Sequence, residues 1–462
     1  MFFESFVLNL SVLLVLIVAL TFDYVTKFFS YWYVRHIPNK TPIPFLGTDY
    51  HRIFGIRTNT EQVNALYSQY PKEKFVGSIK SRIPDLIVKD PDAFKTILST
   101  DFADFHCRGL GMDKSQDVCL RNNLFYAEGE KWTLLREGLK SILSNLKCDP
   151  EASLHDCLSG TNGDTNVQQL LSKVLDGIFK DLLLDESSDG QVISGMRSTV
   201  QKRTFVDKLK TYLKHIFPSL YVMFGLVTMP GEPSTKTKKE LETSNLAKII
   251  KDGSIFQLGL KEKKKSTNEI DFAFAVLSTF ITEGYVPCHN LLTSLMYDLA
   301  INQEVQKKVR ASDDEYLDAV IKESLRLHPP YSVITRQCVK MYQYPESDLI
   351  IDKKITINVP VEAMHKDERF YKNPQEFVPE RFLATETSPT HSFAYLPFGA
   401  GPRKCIGEQL SMQITRTVTK AVLLNYQLEV CDRTPKHLTL ADHNFGRVVD
   451  RDVWLRFKPI RC

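Results

Sequence analysis

The sequence predicts a mainly α fold with a small β portion, on three observations. Asn268 to Ala300 reads as one helix of 33 residues, about 50 Å long at 1.5 Å per residue. Two further helices carry start and stop signals. Ser312-Asp-Asp-Glu315 is a capping box that opens one, which His328-Pro-Pro330 closes, and the stretch from Gly407 (GEQLSMQITRTVTKAVLLNY) opens another. Short β-branched runs, Leu349-Ile-Ile351 and Ile355-Thr-Ile-Asn-Val359, seed the β portion.

The 462 residues contain no repeat and no low-complexity linker, which favours one large domain. Hydrophobic residues at 43 % and charged residues at 25 % supply enough material for its core. The net charge of +4 is too mild to point to nucleic acid, although basic residues gathered on one face would steer an acidic protein partner. Nine cysteines without CxxC pairs argue against a disulfide framework and against a zinc site, and suit a reducing, cytosol-facing environment.

From the N-terminus, Phe6 to Phe22 is uncharged and mostly apolar, at the short end of a membrane span. A cleaved signal peptide fits less well, because Glu4 stands where a basic head is required and no small-x-small cleavage site follows. Lys27, Arg35 and Lys40 come after the run, so the positive-inside rule places the rest of the chain in the cytosol. The glycosylation-type triplets at Asn9 and Asn39 are therefore expected to go unused. Pro38, Pro42 and Pro44 exclude helix and read as a stiff, extended spacer. The organisation expected is an anchor over residues 1–24, a proline-containing linker over 25–45 and one catalytic domain over 46–462.

A helix beginning near Tyr126 places Trp132 and Arg136 on one face, four residues apart. From about Asn166 to Lys265 the periodicity is intermittent, and the basic runs Lys236-Thr-Lys-Lys239 and Lys261-Glu-Lys-Lys-Lys265 read as solvated linkers. Phe217 to Met229 is strongly apolar and is either core or a loop touching a bilayer. Glu323 and Arg326 lie three apart on one helical face, where an exposed ion pair would contribute little. Near the C-terminus, Cys405 sits in a loop with Gly399, Gly401 and Gly407, just before a helix. Such a loop lets backbone N–H groups approach a thiolate, and the helix dipole favours its charge.

FGAGPRKCIG resembles the haem-binding loop of the cytochrome P450 monooxygenases, with Phe398, Gly401, Arg403, Cys405 and Gly407 at five family positions. At ~5 % usage per residue type, five fixed matches arise by chance in a chain of this size on the order of once in ten thousand sequences. Three more motifs follow the family's order: Trp132-x-x-x-Arg136, Glu323-x-x-Arg326 and Pro379-Glu-Arg-Phe382. The resemblance implies a cytochrome P450 fold holding haem b, with Cys405 as the proximal thiolate on iron. It makes Trp132, Arg136 and, less specifically, Arg336 propionate-binding residues, adds Phe398 and Arg403 to the cofactor site, and puts Gly284 on the distal helix. It also implies that Glu323, Arg326 and Arg381 form a buried charge network supporting the Cys405 loop. The flow of FHCRGL, NLFYAEGEKW and PVEAMHKDERFYKNPQEFVPERF looks most like insect microsomal members, which handle hormones, plant toxins and insecticides.

Two departures stand out. Val286 and Pro287 occupy the places of the acid–alcohol pair that feeds protons to bound oxygen in the family. A proline inside a helix costs about 3 kcal/mol, and here it takes a partner from the Glu283 carbonyl. Poor coupling of NADPH consumption to product is the expectation, improved by Val286→Asp with Pro287→Thr, unless the helix is already distorted there and water beside Glu283 or His289 relays the proton. The connection from Ile301 to Ala311 is also short, roughly twenty residues below the family's usual length with its extra helix and loop.

The function implied is a monooxygenase at the endoplasmic reticulum membrane, its haem domain facing the cytosol and in contact with membrane lipid. Electrons would come from NADPH through NADPH–cytochrome P450 reductase, with cytochrome b5 as a further partner, and the substrate would be a lipophilic hormone or xenobiotic. Two alternatives follow from Val286 and Pro287: a haem-thiolate isomerase or lyase acting on a peroxide substrate, and a haem-binding protein with little turnover. Substrate contacts in such a pocket are mostly apolar and carry no motif.

Overall fold

The structure is a computed structural model. It describes the chain except residues 1–5, 44–45, 81–82, 110–116, 147–153, 155–156, 159, 185–187, 189, 202–203, 217–233, 253–268, 346, 384–390, 444–445 and 461–462. The apolar stretch Phe217 to Met229, the second basic run and Pro44 thus lie outside the described residues. Helix makes up 57 % and strand 14 %, which establishes the mainly α class. The chain divides into two compact units, Met1–Gly109 with Val333–Pro360, and Leu110–Ser332 with Val361–Cys462.

In the first unit the N-terminal apolar run forms a helix, Phe6–Phe29, that extends five residues into the expected linker. Its apolar side chains, among them Phe6, Leu14, Val15 and Leu20, are exposed. Among the described residues no helix is long and apolar enough to cross a membrane. The chain is then fastened to a sheet. Trp32 is fully buried and its Nε1 donates to the Ser78 carbonyl at 2.8 Å, while a Cβ on Gly77 would lie 2.4 Å from the indole, so only glycine fits beneath the ring. Tyr31 and Arg35 both bind the Asp352 carboxylate at 2.7 Å. The proline segment, expected as a free spacer, is instead laid along a strand, because the Pro38 carbonyl accepts the Gly77 N–H at 2.8 Å and Asn39 pairs with Gly77. Proline lacks a donor but keeps an acceptor, which suits it to a sheet edge.

That sheet has four strands in the order Phe75–Lys80, Ile83–Val88, Thr356–Val359, Ile334–Gln337. The middle pair is parallel and the outer two pairs are antiparallel. Both expected β seeds form strands, Thr356–Val359 here and Ile350–Ile351 in a small two-stranded sheet with Tyr342–Gln343.

The second unit is built around the expected central helix, which is not uniform. It runs as α-helix over Glu269–Phe280, as π-helix over Ile281–Tyr285 and again as α-helix over Val286–Ile301. In the wide turn the Val286 N–H bonds to the Ile281 carbonyl, five residues back. Pro287 therefore sits in the first turn of the following stretch, where a missing N–H costs little, and the expected penalty of a mid-helix proline does not arise. Tyr285 holds the wide turn from one side, its Oη 2.9 Å from Asp176 Oδ1 and 3.1 Å from the Ser172 carbonyl. Arg197 in turn grips Asp176 with two hydrogen bonds of 3.0 and 3.1 Å. From Phe272 to Ala300 every residue is buried except Phe280, Glu283, Gly284 and Pro287. Their spacing, i, i+3, i+4, i+7, makes one open stripe.

Three further expectations need correction. The connection after the central helix is itself a helix, Gln303–Ala311, amphipathic enough to bury Gln306 and Val309. Gln306 Nε2 and Oε1 pair with the Leu428 backbone at 2.9 and 3.0 Å. The next helix, Asp314–Leu327, is capped by Asp313, whose carboxylate accepts the Tyr316 N–H, and not by Ser312. The first basic run lies in a helix, Thr235–Thr243, capped by Ser234, and is not a linker. The C-terminal helix forms as expected, over Glu408–Asn425.

Candidate functional site

All four motifs of the sequence fall in the second unit, and their contacts converge on Cys405. Gly399 and Gly401 have φ of 72° and 67°, a region that side chains with a Cβ rarely enter, so the chain reverses twice before the cysteine. The Cys405 N–H then donates to the Phe398 carbonyl at 2.9 Å and closes the loop. Phe398 itself is half-buried. Cys405 can be reached from solvent although protein surrounds its sulfur closely, as for a side chain on the wall of a cavity. A cavity of about 460 Å³ opens there, lined by Cys405, Gly401, Lys404, Trp132, Arg136 and Lys140, among others.

Burial pushes the Cys405 thiol up, with Glu408 and Glu283 adding to the rise. The Gly407 backbone donor and Arg136 oppose it without reversing it. The glycine cradle and helix dipole thus fall short of ionising the sulfur by themselves, and a cation bound to sulfur has to take the proton's place.

The helix Gly129–Asn145 supplies Trp132 and Arg136. Arg136 donates to the Lys404 carbonyl at 2.7 Å. Arg403, buried, donates to the Ala127 carbonyl and lays its guanidinium 4.8 Å from the centre of the Trp132 ring. Two arginines and a tryptophan thereby bind the helix and the cysteine loop to each other. Arg336 belongs to the other unit, in the strand Ile334–Gln337, 1 % exposed, with Nη1 on the Thr335 carbonyl at 3.0 Å. Gly284 lies in the π-helical turn, where a Cβ would make only ordinary contact with Phe179 at 3.7 Å.

The charge network is fully buried. Arg326 holds the Glu323 carboxylate with two bonds of 2.7 and 2.8 Å, and Arg381 adds a third contact at 3.3 Å. The Arg326 Nη1 donates to the carbonyls of His365 and Pro374, both at 2.7 Å. His365 was not singled out by the sequence, yet it joins this network to the cysteine loop. Its Nδ1 lies 3.2 Å from the Arg326 carbonyl, and its Nε2 accepts the Leu396 N–H at 3.0 Å, two residues before Phe398. Burial forbids charge on the ring and pushes its pKa down to about 3. A lone histidine whose partners are 39 and 31 residues away leaves no local signal.

Among the described residues no group of three or more His, Cys, Asp or Glu is placed to hold a metal ion. A single soft sulfur on a cavity wall, with guanidinium groups at the edge, suits instead a metal carried in by an anionic planar ligand. That donor chemistry is the one haem asks for. Fold and site together define a haem-thiolate protein.

Comparison with known proteins agrees. Residues 234–452 match the family model for cytochrome P450, and the chain belongs to the cytochrome P450 family, whose domain binds haem iron and whose members are monooxygenases. The chain is 26 % identical to cytochrome P450 6B2 of Helicoverpa armigera, covering 94 % of this chain and 95 % of that one. It is 26 % identical to cytochrome P450 6B1 of Papilio polyxenes over 91 % and 94 %, and 27 % identical to lithocholate 6-beta-hydroxylase of Mesocricetus auratus over 94 % of each.

Proposed function

We propose that the protein is a monooxygenase that takes electrons from NADPH through a flavoprotein reductase and hydroxylates a lipophilic small molecule. The observation that carries this is the Cys405 loop, held against the Trp132 helix by Arg136 and Arg403 on one side and supported by the Glu323–Arg326–His365 network on the other. When bound, haem supplies one-electron redox chemistry and dioxygen activation. The chain's own part is to present the Cys405 sulfur, to offer Trp132, Arg136 and Arg403 to the propionates, and to keep the loop from shifting. Lys140, Lys404 and Arg136 put positive charge beside the same cavity, which suits an acidic redox partner such as the reductase or cytochrome b5.

Hydroxylation of an alicyclic lipid is what the name of the hamster relative describes, and a substrate of that apolar kind is consistent with the mostly apolar insect relatives' niche of hormones and toxins. The exposed apolar side chains of Phe6–Phe29 favour association with the endoplasmic reticulum membrane. Reconstitution with reductase tests the reading. Product formation that requires both NADPH and reductase supports it, and turnover of a lipid peroxide without NADPH would replace it with an isomerase.

A further inference from the structure

The open stripe of the central helix carries an acid. Of its four residues, Phe280, Glu283, Gly284 and Pro287, only Glu283 can hold and release a proton. The Glu283 carboxylate accepts a hydrogen bond from Tyr331 Oη, and its charge is felt at the Cys405 sulfur. Acid, phenol and sulfur therefore share one region of the second unit. Tyr331 is itself fixed: its ring stacks on Phe125 with centroids 5.5 Å apart and planes 23° apart. The Phe125 N–H donates to Asn123 Oδ1 at 2.8 Å, and Asn123 Nδ2 reaches Thr282 Oγ1 at 3.4 Å, next to Glu283 in the chain. This ring of contacts starts and ends on the π-helical turn, so the carboxylate has a set direction. Tyr285, two residues on, is anchored by Asp176 and Ser172.

Inserting one atom of O₂ into a C–H bond and releasing the other as water consumes two electrons and two protons. The reductase brings the electrons, and the protons have to pass through the protein. We propose that Glu283, positioned by Tyr331, is the proton donor of this chain, taking over from the pair absent at Val286 and Pro287. The Glu283 O–H bond breaks, the proton passes to the oxygen that leaves as water, and solvent reprotonates the carboxylate. Tyr331 keeps its own proton and holds the carboxylate in place. The proposal rests on the monooxygenase reading.

Two variants of the full-length, haem-loaded protein test it, Glu283→Gln and Tyr331→Phe. The first measurement follows the carboxyl C=O stretch against pH by infrared difference spectroscopy, with neither reductase nor substrate present. Wild type shows a titration that Glu283→Gln removes and that Tyr331→Phe moves up by about one pH unit, because the phenol's hydrogen bond favours the ionised form. Cys405, Tyr285, Asp176 and Arg197 are the other titratable and charged groups facing this turn, and their contributions cancel in the difference between variants. The second measurement is product formed with reductase. It falls on the order of 100-fold in Glu283→Gln, the lower end of general acid catalysis, with the lost electrons recovered as hydrogen peroxide. In Tyr331→Phe the pH profile of product formation moves with the infrared titration. If Glu283→Gln cannot hold haem, Tyr331→Phe, which removes one hydroxyl, decides the matter by both measurements. Wild-type coupling in Glu283→Gln, or a pH profile unmoved in Tyr331→Phe, overturns the proposal. Absence of reductase-dependent product in wild type overturns the monooxygenase reading and the donor role with it, while the infrared titration still reports whether Glu283 and Tyr331 are paired.

Discussion

His365 is a neutral ring buried between two segments that have to stay in register. Its Nε2 receives the Leu396 N–H and its Nδ1 faces the Arg326 carbonyl, so protonation would break the first contact. The pH consequence has a definite sign. The unfolded chain binds a proton on this histidine below about 6.5, whereas burial keeps the folded form neutral down to about 3. Between these values the unfolded state holds more protons, so stability falls as pH falls, by up to about 1.4 kcal/mol per unit from this group. Urea unfolding at pH 7 and pH 5 should show that slope in wild type, reduced in His365→Gln. An identical slope in both proteins would mean that the ring is not held neutral by burial.

Among elements, the helix Asp314–Leu327 contributes most to the site without touching it. Glu323 and Arg326 are fully buried and paired, and removing one partner leaves an uncompensated charge at a cost of about 3–5 kcal/mol. Glu323→Ala should give little folded, haem-loaded protein, and normal haem content and melting temperature would contradict that. The central helix predicts the opposite for Pro287. Since it follows a π-helical turn and needs no N–H there, Pro287→Ala should change stability by less than about 1 kcal/mol, against the ~3 kcal/mol of a true mid-helix proline. A large stabilisation would show that the wide turn does not relieve the strain.

These two helices also show what a sequence can reveal. The Glu323–Arg326 pair was legible because its partners are three residues apart, and the cysteine loop because its glycines and fixed residues are contiguous. The π-helical turn was not, since one extra residue per turn barely alters apolar periodicity where nearly every position is buried. Ser312 and Asp313 are equally good caps, so the true start of the helix was undetermined. Gln303–Ala311 escaped notice because a short helix with two buried residues gives a weak pattern. His365 and the Glu283–Tyr331 pair depend on partners brought together only by folding.

At the scale of the whole molecule, the Phe6–Phe29 helix and the body it precedes are separable at Ser30, because Trp32 and Tyr31 already anchor the chain to the first unit's sheet. Deleting residues 1–24 should leave folding and haem content intact while abolishing flotation with phospholipid vesicles. Undiminished flotation would assign membrane contact to another surface. Trp32→Ala, by contrast, should cost about 3–5 kcal/mol, as for other buried aromatic rings, measurable as a lowered urea midpoint.

The account stands on Cys405 being the sulfur that meets haem iron. The absorption spectrum of the reduced, carbon-monoxide-bound protein reads this directly, because an iron-bound thiolate displaces the main band characteristically. Wild type should give the thiolate-type spectrum, and so should Cys288→Ala, whose sulfur sits against Ser411 Oγ at 3.3 Å. Cys405→Ala should lose it entirely. A thiolate-type spectrum surviving in Cys405→Ala, or missing from haem-loaded wild type, would contradict the assignment at its centre.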